Sequence, residues 1–135
     1  MMNRDATFYE DSNGFSEARE ALRSINNADP RHTKRIKNKI DILCRVESIH
    51  PDATEMGLFT RPTGHIYVLI VSGQGGFAYR LPFFVPNCKG GTLIVFTHCE
   101  KRRGLDDSYA SIVEEAEARR QDWIKRNCKG IDDAR

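Results

Sequence analysis

The chain has 135 residues, of which 39% are hydrophobic and 30% are charged, and its formal net charge at pH 7 is +2. This length predicts a single domain that buries roughly two-thirds of its chain surface, and the composition is that of an ordinary globular protein. No apolar run approaches the ~20 residues that span a bilayer, and the N-terminus has no apolar signal core. We therefore expect a cytoplasmic protein with no membrane partner.

The charges are unevenly distributed along the sequence. Residues 1–29 contain three basic and six acidic side chains, a net charge of −3, whereas residues 30–47 contain six basic and two acidic ones, a net charge of +4. Lys101, Arg102 and Arg103 form a second basic cluster. Such clusters are typical of a nucleic-acid-binding surface, although a solvated helix face and a charged turn would give the same pattern.

The N-terminal region predicts a short strand and a first helix. Ala6–Tyr9 is a β-prone segment that is closed by loop-forming residues 11–14. Ser16 is expected to cap a helix with acidic residues in its first turn, where the helix dipole favours them. Asn27 marks the expected end of this helix.

A second helix is predicted directly afterwards. Asp29–Pro30 supplies a capping residue and a proline at the first helical position, and apolar spacing continues to about Ser48. The basic residues Lys34 and Lys37 lie off the apolar stripe of this helix. Residues 51–64 are expected to form an irregular connector.

The second half of the chain predicts three antiparallel strands joined by glycine-containing turns. The apolar runs His65–Val71, Phe77–Val85 and Thr92–His98 are separated by the turn sequences Gly73–Gly76 and Lys89–Gly91. Side chains alternate across a strand, so the odd-numbered residues of the middle run are expected to share one apolar face.

The middle strand contains two residues that are unusual in a sheet. Pro82 cannot donate a hydrogen bond to a ladder, so the strand is expected to be bulged or unpaired there. Arg80 lies on the face opposite to the apolar residues, and its charge requires a partner or an open cleft.

A closing amphipathic helix is predicted from about Asp107 to Arg126. Its apolar stripe consists of Tyr109, Ile112, Val113, Ala116, Trp123 and Ile124. Its solvent-facing side is expected to carry Glu114, Glu115, Glu117, Arg119, Arg120 and Gln121. Residues 127–135 are expected to fray, and the whole chain is expected to form one domain, 1–135.

The four cysteines are Cys44, Cys88, Cys99 and Cys128, and none of them forms a C-x-x-C pair. Free thiols are therefore expected in preference to a zinc site. Dinucleotide-binding, P-loop, G-x-S-x-G and H-E-x-x-H motifs are also missing, and no acid pair indicates a glycosidase. We expect neither a metal nor a cofactor.

The remaining side chains favour metal-independent cleavage of RNA. This reaction requires proton transfer at the 2′-hydroxyl and at the 5′-oxygen, which histidine performs near neutral pH, and stabilisation of the phosphorane charge by arginine or lysine. The expected catalytic residues are Arg80, His98, Lys101 and His65. The expected RNA-binding residues are Arg61, Arg102, Arg103, Lys34 and Lys37. Ordinary structural roles remain open for several of them, since His65 also fits a strand edge and residues 101–103 also fit a charged turn.

Several segments, taken in order, resemble the RelE/HigB/ParE superfamily of toxin–antitoxin toxins, especially its phage-derived HigB-like branch. The resemblance covers roughly residues 6–126 and rests on the opening Phe8–Ser16, the strand segment Gly64–Leu69, the pair Tyr79–Arg80, the segment Leu93–Arg102, and the closing-helix segment Ala116–Arg120.

The resemblance implies an α+β RelE-like domain, with a short N-terminal strand, two helices, a three-stranded antiparallel hairpin sheet and a C-terminal helix. It also implies an endoribonuclease that cleaves translated mRNA on the ribosome and is neutralised by a cognate antitoxin, typically a helix-turn-helix protein with an acidic segment. Arg80 would contact the scissile phosphate, and Lys101 and Arg102 would occupy the basic positions near it.

The sequence also departs from the family pattern. Val68 and Ile70 replace a glutamate and an arginine, Cys99 replaces an aromatic residue, and the usual tyrosine or histidine has no counterpart after Ile124. Two alternatives therefore accompany the toxin hypothesis. One is a non-catalytic binding or regulatory module with the same fold, and the other is a ParE-like toxin that targets a topoisomerase.

Overall fold

The computed structural model describes residues 3–46, 49, 59–103 and 109–128. Within these ranges the chain forms an α+β fold, as expected, with three α-helices and six strands. In chain order the elements are β1 (Asp5–Phe8), α1 (Glu17–Ala28), α2 (Pro30–Arg45), β2 (Phe59–Thr63), β3 (Ile66–Ser72), β4 (Phe77–Phe84), a 3₁₀ turn (Asn87–Lys89), β5 (Leu93–Phe96), β6 (Glu100–Arg103) and α3 (Ala110–Asn127).

The strands form one sheet in the order β1–β5–β4–β3–β2, and β6 pairs with β4 beside β5. β1 runs parallel to β5, whereas the other pairs are antiparallel. The three predicted hairpin strands are therefore correct but incomplete. β1 joins the sheet through a long-range pairing, and β2 and β6 extend it.

The sheet is covered on both faces, by α1 and α2 on one side and by α3 on the other. The odd-numbered residues Tyr79, Leu81 and Phe83 of β4 belong to the core beneath α1 and α2, and Phe84 belongs to the core beneath α3. The predicted alternation in this strand is thus confirmed. We refer to these two sides as the α1/α2 face and the α3 face.

The predicted helix caps are confirmed. The Ser16 hydroxyl accepts a hydrogen bond from the Arg19 backbone N–H at 3.2 Å. Asp29 ends α1 and caps α2, because its carboxylate accepts from the Arg31 backbone N–H at 3.0 Å. α2 ends at Arg45, earlier than expected, and residues 47 and 48 lie outside the described ranges.

The expectation of an irregular connector at 51–64 is wrong for its last part, since Phe59–Thr63 is strand β2. Phe59 is 1% exposed and packs in the α1/α2-face core. The register with β3 shifts between Thr60 and Thr63 around Pro62, and β2 lies at a sheet edge, where proline is tolerated. Residues 51–58 lie outside the described part of the chain.

Pro82 does not interrupt β4 on the β3 side, where it is the register partner of Val68 in a continuous ladder. Its carbonyl faces the opposite edge and accepts a hydrogen bond from the Thr97 backbone N–H at 2.9 Å. On that edge β4 pairs with β6 at residues 77–80 and with β5 at 83–84. The position where Pro82 lacks an N–H therefore falls in the gap between β6 and β5. The expected bulge is absent from the ladder with β3, whereas the expected loss of pairing is found on the edge that faces β5 and β6.

Two cysteines correct the expectation of free thiols. Cys88, in the 3₁₀ turn, and Cys128, at the end of α3, form a disulfide with a Cα–Cα distance of 5.8 Å. They are 40 residues apart in sequence and come together because α3 packs back across the sheet. Cys44 and Cys99 are free, and burial raises the pKa of the Cys99 thiol to about 12.

The apolar stripe of α3 is largely confirmed, with Ile112, Ala116, Trp123 and Ile124 buried. Arg120 is an exception to the predicted solvent-facing side, since it is 3% exposed and pairs with Glu117 at 2.6 Å. The expected start of the helix near Asp107 lies outside the described residues, as do residues 129–135 of the tail. None of the described helices is both long enough and apolar enough to cross a bilayer.

Candidate functional site

Strand β6 determines how the basic residues are arranged. Residues 101–103 form part of this strand and not a charged turn, because the 77–80 half of β4 is left without a partner by the short β5. Glu100 is the register partner of Arg80, and Lys101 is the register partner of Tyr79. Because side chains alternate, Glu100 and Arg102 lie on the α3 face with Arg80, whereas Lys101 lies on the α1/α2 face.

Arg80 packs against Tyr109, the residue that precedes helix α3. It is 6% exposed, and its guanidinium carbon lies 4.6 Å from the centroid of the Tyr109 ring. A buried charge is costly without compensation, and a desolvated cation over an aromatic ring recovers ~2 kcal/mol. Tyr109 is the N-cap residue of α3 and is only half-buried, so its predicted place in the apolar stripe is corrected.

Glu100 and Arg102 complete this side of the sheet. The Arg102 Nε donates to a Glu100 carboxylate oxygen at 2.6 Å. The carboxylate therefore lies on the same face as two arginines, Arg80 and Arg102. Lys101 is exposed on the other face, with its ammonium 4.4 Å from the centroid of the Phe77 ring.

His98 lies between the end of β5 and α3 and is 2% exposed. Its Nδ1 is 3.0 Å from the Thr97 hydroxyl, and its Nε2 is 3.7 Å from a Glu115 carboxylate oxygen. Nε2 is buried without a hydrogen-bond partner in the described residues. Burial lowers the pKa of His98 below its usual 6.5, and the carboxylate of Glu115 opposes this shift. The ring is consequently neutral near pH 7.

Arg119 fixes α3 over this region. Its guanidinium pairs with Glu115 at 2.7 Å and with Glu17 at the start of α1. It also donates to the backbone carbonyl of Thr97 at 3.3 Å. These contacts join α3, α1 and the segment after β5, and so hold the surroundings of His98 in place.

The structure divides the sequence-predicted residues among several regions. Arg80, Arg102 and His98 lie on the α3 face, and the sheet separates them from Lys101. Arg103 is part of β6, but its side chain lies outside the description. The predicted site is therefore only partly assembled on one surface.

Arg61 and His65 line a separate cavity of about 260 Å³ near the β2–β3 turn, together with the buried Arg120. The Arg61 Nε donates to the Gly64 carbonyl at 2.7 Å, which orients the guanidinium. Lys34 and Lys37 are exposed on α2.

Two aromatic side chains with polar groups are absent from the sequence-predicted set. The helical spacing of Tyr109 predicts a core residue, whereas its ring lies over the Arg80 guanidinium. His32 on α2 has its Nδ1 2.8 Å from the Tyr79 hydroxyl and lines a cavity with Lys101. The only sequence signal for His32 is its position three residues after the capping Asp29.

No group of three or more metal-ligating side chains is assembled in the described ranges.

No family model, no curated protein and no solved structure matches this chain.

Proposed function

We propose that the chain is the toxin component of a type II toxin–antitoxin system, with a RelE-like fold, and that it cleaves translated mRNA at the ribosome without a metal. The observation that carries this proposal is the arrangement around β6. This strand pairs only with β4 among the described strands, and it bears Arg102 beside Arg80 on one face and Lys101 on the other. An edge strand flanked by cations is suited to follow a phosphate backbone.

The chemistry follows from these groups. The 2′-hydroxyl gives its proton to His98 and attacks phosphorus, and the bond to the 5′-oxygen breaks as that oxygen takes a proton from water. Arg80 stabilises the charge that develops on the phosphorane, and Arg102 and Lys101 hold neighbouring phosphates. His98 is the proton acceptor in this scheme, because burial keeps it neutral. RNA reaches Arg80 by displacing the Tyr109 ring, whose face then stacks on a base.

The test is induced expression, with growth measured and RNA ends mapped. We expect growth arrest and cuts inside coding sequences. Arg80→Ala should remove ~3 kcal/mol of transition-state stabilisation, a loss of about 10²-fold in cleavage rate. Arg23→Ala is the matched control, since Arg23 is an exposed arginine on α1. Intact transcripts and normal growth, with the protein shown to be folded, would contradict the proposal. A DNA-damage response without RNA cleavage would instead favour a topoisomerase-targeting toxin.

The burial of the candidate groups favours a second function, a non-catalytic module that has the same fold. Arg80 and His98 are 6% and 2% exposed, so neither is open to solvent as it stands. Such a module would bind RNA or a protein partner, but it would neither cleave RNA nor arrest growth. Purified protein that shifts single-stranded RNA in a gel but leaves it intact, on and off the ribosome, would support this alternative.

The proposed toxin requires an antitoxin. α2 exposes Lys34 and Lys37, and on the same helix Ile42 is 46% exposed. A helix-turn-helix antitoxin with an acidic amphipathic segment would cover the apolar residue and pair with the lysines. Opposed charges steer association and are screened within ~8 Å at physiological salt, so binding should weaken as salt rises. Affinity that is unchanged between low and high salt would exclude this electrostatic contact.

A further inference from the structure

A cavity of about 250 Å³ lies on the α1/α2 face where α1 ends and α2 begins, against β4 and β6. It is lined by Ser24, Ile25, Ala28, Asp29, His32, Tyr79 and Lys101. Pockets for drug-sized ligands have volumes of ~300–1,000 Å³, so this cavity accommodates a single small ring system. The sheet separates it from Arg80, and Lys101 is the one lining residue that takes part in the chemistry described above.

Two aromatic rings form a fixed wall of this cavity. The His32 Nδ1 lies 2.8 Å from the Tyr79 hydroxyl, and the two ring centroids are 5.6 Å apart at an interplanar angle of 60°. Ile25 and Ala28 supply apolar surface beside them. Because the hydrogen bond holds both rings, the wall is formed before any ligand arrives.

Two opposite charges complete the cavity. The Asp29 carboxylate is oriented by the Arg31 guanidinium, which donates to both of its oxygens at 3.0 and 2.9 Å. These hydrogen bonds lower the pKa of Asp29 to about 2, so the carboxylate is charged at neutral pH. Lys101 is exposed and lies on the edge strand β6.

A nucleobase combines the properties that these groups recognise. Its faces stack on aromatic rings, and an exocyclic amine donates to a carboxylate, as aspartate accepts from the amine of cytosine. The ammonium of Lys101 neutralises the phosphate of the same nucleotide. Uracil has no exocyclic amine and would leave the Asp29 carboxylate facing a carbonyl oxygen.

We propose that this cavity binds one amine-bearing base, adenine, cytosine or guanine, of a single-stranded RNA, with the adjoining phosphate on Lys101. The inference rests on the proposed function and names the part of the substrate that the α1/α2 face recognises. The RNA then crosses the β6 edge, with one nucleotide in the cavity and the next phosphates on the α3 face near Arg102 and Arg80.

The test measures binding of the purified full chain to labelled hexanucleotides of A, C or U with 2′-fluoro sugars, which lack the attacking hydroxyl. We expect the A and C oligonucleotides to bind at least ~10-fold more tightly than the U oligonucleotide, a difference of ~1.4 kcal/mol. Ala28→Phe fills the cavity and should abolish the preference. Ala118→Phe, at an exposed position of α3, should retain it.

Asp29→Asn provides a second variant, because asparagine also caps helices well and keeps the fold. Its amide can donate to a carbonyl oxygen, so the discrimination against U should disappear. Lys101→Met should weaken all three oligonucleotides alike and reduce the salt dependence. Equal affinity of the unmodified chain for A, C and U, or a preference that survives Ala28→Phe, would overturn the inference.

The outcomes separate this inference from the proposed function. Base preference without RNA cleavage in cells refutes the ribonuclease and leaves the cavity assignment intact. RNA cleavage without base preference refutes the cavity assignment and leaves the ribonuclease proposal intact. Binding of an acidic peptide that competes with none of the oligonucleotides, but is lost in Ala28→Phe, would assign the cavity to a protein partner and overturn the inference.

Discussion

The two faces of the sheet differ in the kind of side chain that they bury. The α1/α2-face core is apolar and aromatic, and its fully buried members include Phe59, Phe83, Phe96, Ile36 and Leu43. The α3 side also buries Phe84 and Val95, but Arg80, His98 and Arg120 are buried as well and are not part of either apolar core.

Alternation within β4 explains how one strand serves both faces. Its odd-numbered residues stabilise the fold by removing apolar area from water, at about 25 cal/mol per Å². Its even-numbered positions include Arg80, whose charge costs free energy to bury. The comparison indicates that stability is concentrated on the α1/α2 face, and that the α3 face gives up stability to bury charged groups, to which we assign the proposed chemistry.

The largest expected effect on stability is Phe83→Ala. Phe83 is fully buried, and its ring stacks on Tyr67 with centroids 5.3 Å apart. Removing a buried phenylalanine side chain costs ~3–5 kcal/mol, measured as the loss in unfolding free energy from urea titration. Phe15→Ala is the control, because Phe15 is 53% exposed. A loss no larger for Phe83→Ala than for the control would show that the α1/α2 face does not carry the stability.

The disulfide should have the next largest effect. Replacing Cys88 and Cys128 by serine frees a loop of 40 residues, which corresponds to a loss of up to ~4 kcal/mol in a chain-entropy description. Cys44→Ser is the control for a free cysteine. Reductant should lower the unfolding midpoint of the unmodified protein but not that of the double variant.

A thiol count on the unfolded chain tests the same bond directly. Four reactive thiols in the absence of reductant would contradict the disulfide, and two would confirm it. Since structural disulfides are rare in reducing compartments, the count in protein taken from cells also tests the expected cytoplasmic location.

The elements that could be predicted from the sequence are those specified by local signals. Ser16 and Asp29 mark helix starts by capping chemistry, and the alternation in 77–85 fixes which residues face the α1/α2 core. Each of these depends on neighbours within a few positions. The α+β class follows from the order of such elements.

The features that were missed depend on contacts between distant segments. β6 is charged and has no strand-like pattern, and it forms because the exposed edge of β4 needs a partner. The Cys88–Cys128 pair and the Arg80–Tyr109 contact each join residues about 30 to 40 positions apart. The separation of Lys101 from Arg80 requires the register of β6, which no local pattern reveals.

A smaller effect is expected from pH, through His98. Burial lowers its pKa in the folded protein below 6.5. The nearby Arg119 also lowers this pKa, whereas the carboxylates of Glu115, Glu17 and Glu100 raise it. The unfolded chain therefore binds a proton more readily as pH falls through ~6.5, so stability is lost on acidification. Urea midpoints at about pH 7.5 and pH 5.5 should show this loss.

The substitution His98→Asn should reduce that loss. Asparagine does not titrate and can keep the hydrogen bond to the Thr97 hydroxyl. His65→Asn, at a half-buried position outside this region, should retain the pH dependence of the unmodified protein. An identical pH dependence in all three proteins would show that other groups cause it.

The smallest expected change in stability is Arg80→Met, and it separates the two faces most sharply. Methionine fills a similar volume, and Glu100 keeps its bond to Arg102 at 2.6 Å. The substitution removes the cation–π contact with Tyr109, worth ~2 kcal/mol, but it also removes the desolvation cost of the buried charge, so we expect the net change to stay within ~1 kcal/mol. RNA cleavage should nevertheless fall by about 10²-fold, because a preorganised charge is lost.

Arg120→Met, which removes a buried cation elsewhere on the α3 side, should leave cleavage unchanged. If Arg80→Met instead lost several kcal/mol of stability and retained cleavage, the buried arginine would be structural, and the division between a stabilising and a chemical face would fail at its central residue.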